Sequence, residues 1–187
     1  MAVADGGTGA SNAAGARTNL ELEGIWRREA STTVSGSAVA SVVFTLPTWA
    51  SEIRVEWSKC QPSGGVAPFI AQISQDGGAT YLTGTSDYGG VIQGVRSTGA
   101  LFAGMPNGRL DLSPGILTTQ SIDGYIQMRR AAGAASDIGS WGIDDLPARF
   151  RTVAHGGGGT VTPTHIRFVY SGQNIAVGST FSLFGRA

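Results

Sequence analysis

The sequence predicts an all-β chain, a jelly-roll-like two-sheet β-sandwich preceded by a short N-terminal helical anchor segment. Three observations predict it. Charged residues make up only 14% of the chain, against roughly 25% in an average soluble domain. Glycine fills 29 of 187 positions, and Ser, Thr, Ala and Val dominate much of the rest, a mixture that favours short strands and tight turns. From about Val39 onward, apolar residues recur at every second position in short runs separated by turn residues.

The charge balance narrows the function classes. Lys plus Arg equals Asp plus Glu at 13 each, so the formal net charge is zero. Such a chain has no electrostatic footprint for nucleic acid or an anionic membrane. No apolar run approaches the roughly 18 residues of a membrane span, so no membrane insertion is expected. Met1 to Asp5 lack the basic and apolar regions of a secretory leader. Cys60 is the single cysteine, which rules out an intrachain disulfide; a small buried hydrophobe is its expected role. With two histidines no clustered metal motif can be written. No metal and no cofactor are expected. Twelve of the 13 basic residues are Arg, Lys59 being the exception, and Arg forks suit interfaces and acidic-sugar contacts.

Taken in chain order, Asp5 to Gly9 read as a loop and Ala10 to Leu22 as a short helix. Ser11 or Asn12 can cap it, and Ala13, Ala14 and Ala16 are strong helix formers. At about three turns, interrupted by Gly15, it cannot bury enough surface to stand alone. It needs a partner, either the main domain or copies of itself from other chains, so residues 1–30 are set apart as an anchor segment from a β-sandwich at 31–187.

Within the sandwich, Val42 to Leu46 is an apolar strand stopped by Pro47. Ile53, Val55 and Trp57 alternate with Arg54, Glu56 and Ser58, the signature of a strand with one buried face. Phe69, Ala71 and Ile73 alternate into the turn Gln75-Asp76-Gly77-Gly78, and Thr80 to Leu82 read as the returning strand of a hairpin. Further strands are expected at Val91 to Val95, Gly124 to Arg129, Phe150 to Val153, His165 to Tyr170 and Thr180 to Phe184. Ala131 to Leu146 and Gly156 to Gly159 read as loops, where recognition usually resides.

Two stretches resemble a known family. Gly6-Gly7-Thr8-Gly9-Ala10, Ala13-Ala14, Ala16-Arg17 and Asn19-Leu20 follow in order a GGTGA-x-x-AA-x-AR-x-NLGL segment that recurs in tail-fibre and receptor-binding proteins of tailed bacteriophages. Glu21 stands where that family usually has Gly. Ile73 to Tyr81 with Ser86-Asp87-Tyr88, and the closing Ser171 to Gly185, are similar to motifs of C-terminal fibre head domains. The resemblance implies a homotrimeric adhesin for a cell-surface saccharide, made in the host cytoplasm and carried on the virion at the tail or capsid surface. Leu20, Leu22, Ile25 and Trp26 would then supply the trimer or anchor interface to other virion proteins.

Ser74-x-Asp76-x-Gly78-x-x-Tyr81 also resembles the Asp-box hairpin of carbohydrate-active β-proteins, a structural motif in which Asp76 accepts turn N–H groups and Tyr81 packs beneath. No catalytic constellation is visible. Glu52 and Glu56 share a strand face with Arg54 and read as a salt-bridged surface, His155 and His165 are isolated, and Gly156 to Gly159 lack the Lys of a phosphate loop. No enzyme activity is expected. The candidate saccharide-binding residues are Trp141, Asp144, Asp145, Tyr88 and Arg96, because sugar rings offer apolar faces to aromatics while Asp and Arg bond hydroxyls or uronic acids. The competing reading is a structural virion component, such as a head fibre, decoration protein or tail/baseplate adaptor, that contacts other virion proteins and no host glycan.

Overall fold

The computed structural model describes residues 15–16, 24–83, 89–95, 101–104, 110–116, 119–130, 137–144, 150–156 and 162–187. These residues form twelve strands. They are β1 (Arg27–Thr33), β2 (Val42–Thr45), β3 (Glu52–Cys60), β4 (Ala67–Ser74), β5 (Gly89–Val95) and β6 (Leu101–Gly104), then β7 (Leu110–Ile116), β8 (Ile122–Arg129), β9 (Asp137–Asp144), β10 (Phe150–Gly156), β11 (His165–Tyr170) and β12 (Thr180–Arg186). The helix expected over Ala10 to Leu22 lies outside the described residues except for Gly15 and Ala16, whose backbone is helical.

Two antiparallel sheets result. One runs β1-β12-β3-β8-β9-β10-β5-β6 and the other β2-β11-β4-β7. The alternation expected at Ile53, Val55 and Trp57 is realised: these three are buried on β3 while Arg54 and Glu56 between them are partly exposed. His165–Tyr170 and Thr180–Arg186 alternate in the same way.

The buried faces meet in one core. Trp57 and Phe181 come from the larger sheet, Phe69, Phe168 and Tyr170 from the smaller, and neighbouring rings lie 4.9–6.3 Å apart. Tilted and edge-on arrangements at this spacing suit the ring quadrupoles. Ile53, Val55, Ile126 and Met128 surround them, all essentially inaccessible.

Several elements depart from the sequence reading. Thr80 to Leu82 do not return as a strand. The Leu82 N–H bonds back to the Ile73 carbonyl at 2.9 Å, beyond the reach of β7, which pairs with β4 no further than Ala71. The turn instead closes on itself. The Ser74 hydroxyl donates to Asp76 at 2.7 Å and accepts the Gly78 N–H at 2.9 Å, while Asp76 accepts the N–H and hydroxyl of Thr80. Gly77 and Gly78 take φ of 76° and 90°, which only glycine adopts freely. These bonds, led by the Thr80 hydroxyl, hold the Asp76 carboxyl well below the usual carboxylate range. Tyr81 lies beneath the Arg167 guanidinium at 3.9 Å. Within the stretch Ala131 to Leu146, β9 occupies Asp137–Asp144 and is paired on both sides, so much of the expected loop is sheet. β1, beginning at Arg27, crosses the boundary drawn at residue 30.

Strand register gives the larger sheet two distinct ends. At the entry end Arg27 pairs with Gly185, Arg186 with Glu52, Glu52 with Arg129, Arg129 with Asp137 and Gly156 with Gly89. At the far end stand Thr33, Thr180 and Ser58, then Asp144 opposite Ile122 and Val95 opposite Leu101.

Arg130 ties the entry end together. Its guanidinium donates to the Pro47 carbonyl at 2.6 Å and the Pro163 carbonyl at 2.5 Å, and its backbone N–H donates to Ser51. Burial pushes its pKa down, yet the guanidinium stays charged because the ordinary value lies so high. Arg130→Ala is expected to cost about 2 kcal/mol, since bonds from a charged donor contribute roughly 1.5–3 kcal/mol each and the vacated space admits some water. A urea midpoint within error of the parent protein would remove this role.

Candidate functional site

The outer face of the larger sheet carries a surface that combines an aromatic ring, both charge signs and a row of hydroxyls. It arises from alternation on three neighbouring strands. Arg54, Glu56 and Ser58 are among the outward positions of β3, Tyr125 is one of β8, and Thr180 and Ser182 are two of β12. Glu56 is the register partner of both Tyr125 and Ser182, so these side chains share one face.

A bulge opens a depression among them. Register shifts between Trp57 and Cys60, where Ser58 and Lys59 stand against the single residue Asp123. Lys59 has a φ of 52° and donates its N–H to Asp123 Oδ1 at 2.6 Å; such bulges bend the strand and re-aim its side chains. The depression measures about 280 Å³ and is lined by Arg54, Glu56, Ser58, Tyr125, Thr180 and Ser182, with Gly124 and Trp57 also contributing.

Its electrostatics are internally balanced. Arg54 Nε lies 3.1 Å from Glu56 Oε1, and the Arg54 guanidinium sits 3.9 Å over the Tyr125 ring. Ser58 and Thr180 hydroxyls bond to each other, and Ser182 bonds to Ser31 at 3.1 Å. The rim therefore offers a carboxylate acceptor, a guanidinium donor and hydroxyls able to do either, beside an aromatic ring, with no net charge. Among the described residues no group of three His, Cys, Asp or Glu could hold a metal ion, and no helix is long and apolar enough to cross a membrane.

Of the sequence-predicted saccharide residues, Trp141 stands on β9 as the register partner of Tyr125 on one side and Thr152 on the other. Trp141 is thus the next residue across the sheet from Tyr125. Asp144 ends β9 at the far end, opposite Ile122. Asp145, Arg96 and Tyr88 lie outside the described residues. Of the interface residues, Leu20 and Leu22 lie outside the described residues. Ile25 is 57% exposed, whereas Trp26 is half-buried with the Arg186 guanidinium 5.0 Å over its ring. Trp26 packs at least in part on its own sheet.

Tyr125 and Arg54 escaped the sequence reading as ligand groups. The available signal was the i, i+2 spacing of Arg54, Glu56 and Ser58, which marks a single outward face, but nothing in the sequence tells which strand lies beside it. No family model matches the chain, and no curated protein sequence matches it.

Proposed function

We propose that the chain is a virion fibre or spike protein of a bacteriophage or phage-derived particle, a homotrimeric adhesin that attaches the particle to a host cell-surface saccharide. The observation that carries the reading is the pairing of the ordered GGTGA-x-x-AA-x-AR-x-NL resemblance at residues 6–20 with a β-sandwich whose outer face bears the Arg54–Glu56–Tyr125 depression, Trp141 being the next residue across the sheet from Tyr125. Sugars need this combination of an apolar ring face and fixed donors and acceptors. Because Arg54 and Glu56 cancel, an uncharged hexose unit fits the depression better than a uronic acid.

The jelly-roll reading of the sandwich is supported by its strand order. Successive core strands β1, β2, β3 and β4 alternate between sheets, β7 and β8 change back, and β11 and β12 alternate again, which gives the orders β1-β12-β3-β8 and β2-β11-β4-β7. The pairs β5–β6 and β9–β10 are then insertions that widen one sheet. The anchor role of residues 1–30 is supported by the direction of the chain, which enters β1 at Arg27 on the end remote from Asp144 and Val95.

Binding of the purified full chain to host surface polysaccharide tests the proposal. Tyr125→Ala is expected to weaken it at least ten-fold, the scale of a lost stacking contact of roughly 1.5 kcal/mol, while leaving the thermal midpoint within a few degrees. A parent protein with no affinity for host cells or their polysaccharide would overturn the adhesin. The structural virion component would then take its place, a reading favoured by the shallowness of the depression.

A further inference from the structure

Among the described residues, two strand edges without a neighbour flank one groove of the sandwich. β1 is the first strand of the larger sheet and β2 the first of the smaller. Between them runs a groove of about 700 Å³, floored by Val34, Val42 and Phe44 and walled by residues 30–35 and 41–45.

Alternate backbone groups along this groove lack partners among the described residues. Val34 exchanges bonds with Ser179 and Gly178, and in an antiparallel pair bonding residues alternate. Ser31 and Thr33 therefore turn their N–H and C=O groups away from β12 and into the groove. By the same alternation, the Leu46 N–H bonding to Thr164 leaves Val43 and Thr45 facing it from the other side. Val43 is 46% exposed.

Free edges are usually blunted by Lys, Pro or inward charges, because they template pairing with another chain. None of the groove-lining residues is charged or proline. The opposite edge of the larger sheet, β6, has the sequence LFAG and is uncharged too. β1 carries its charges, Arg27, Arg28 and Glu29, at the entry end, so its bare stretch is Ala30 to Thr33. Two uncharged edge stretches on opposite sides of one sheet fit a second copy of the chain, arranged head to tail, since pairing of unlike edges can close into a ring.

We propose that β6 of a neighbouring copy adds antiparallel along β1, bonding to Ser31 and Thr33 and covering the groove, so that the larger sheet continues from one copy to the next. This rests on the homo-oligomeric part of the function proposed above. It locates the assembly contact in the head and not in residues 1–30 alone.

Thr33→Pro removes a donor that faces the groove and leaves the β12 ladder intact, and proline is tolerated at edge positions of this kind. Thr33→Lys adds an edge charge without touching the backbone. Native mass measurement of the full chain is expected to give a closed ring, a trimer, for the parent protein and monomer for both variants, with circular dichroism unchanged. If Thr33→Pro proves unfolded, Thr33→Lys carries the comparison alone. A parent trimer that survives Thr33→Lys would overturn edge pairing while leaving the trimer standing. A parent monomer, or a twofold dimer, would overturn both.

Discussion

Phe168→Ala is expected to destabilise the protein by about 3–5 kcal/mol, the range for deleting a fully buried aromatic ring. Phe168 lies on β11, between β2 and β4, and is completely buried. Its ring is 5.9 Å from Phe69, 5.9 Å from Trp57 and 5.3 Å from Phe181, so one truncation loosens contacts to both sheets. Little can collapse into the space, because the neighbours are rings fixed on opposing strands. With roughly 2–4 °C per kcal/mol for a chain of this size, the thermal midpoint should drop by about 6–20 °C. Phe184 is the control. It sits three residues beyond Phe181 on β12, on the outward, partly exposed face, and Phe184→Ala should cost about 1 kcal/mol or less. Calorimetry of the two variants side by side decides: equal losses would mean that the core does not rest on the aromatic contact between sheets.

Alkaline pH is expected to remove a comparable amount of stability. Burial pushes the Cys60 thiol from an ordinary 9.0 up to about 12. Tyr170, whose hydroxyl donates to Cys60 Sγ at 3.6 Å, is raised as well, chiefly by burial. Both groups are acids kept neutral by the fold. Their contribution is complete below the pKa values of the unfolded chain and is lost as pH rises, because above about 9 the unfolded state releases protons that the folded state retains. Three pH units at 1.36 kcal/mol each would remove about 4 kcal/mol between pH 9 and 12 from the thiol. Urea midpoints should therefore be level from pH 7 to 8.5 and fall steeply beyond. In Cys60→Ala the fall should be shallower, with the Tyr170 part remaining. A midpoint that holds steady to pH 10.5 would sink this account. The same burial makes the native thiol inert to disulfide exchange reagents, which need the thiolate.

The strands that were legible in the sequence are those with one face in the core, where the period of two is forced by burial. Ile53-Arg54-Val55-Glu56-Trp57 and His165 to Tyr170 are of this kind. β9 was illegible because neither of its faces reads as apolar: Asp137, Gly139, Trp141 and Ile143 alternate with Ile138, Ser140, Gly142 and Asp144. Pairing on both sides by β8 and β10 makes it a strand, and such pairing overrides weak local propensity. β7 was hidden by Pro114, which is tolerated because β7 is an edge of its sheet. β1, polar along most of its length, offered no periodic signal and owes its conformation to β12. The candidate site was half legible. Trp141 could be picked as an aromatic near polar groups, but the depression depends on which strands are neighbours and on a bulge at Lys59, and neither is written in a local pattern.

The register of β1 against β12 also bears on how the head would carry load. Tension applied between the chain entering at Arg27 and a ligand held near the far end would pull β1 lengthwise along β12. The ladder bonds lie perpendicular to the strands, so those formed between Arg27–Gly185 and Thr33–Thr180 would resist together in shear. Peeling from the Thr33 end would instead break them one at a time. For the adhesin proposed above, the first geometry would follow from nothing more than the chain entering the sheet at Arg27, the end opposite Thr33 and Thr180.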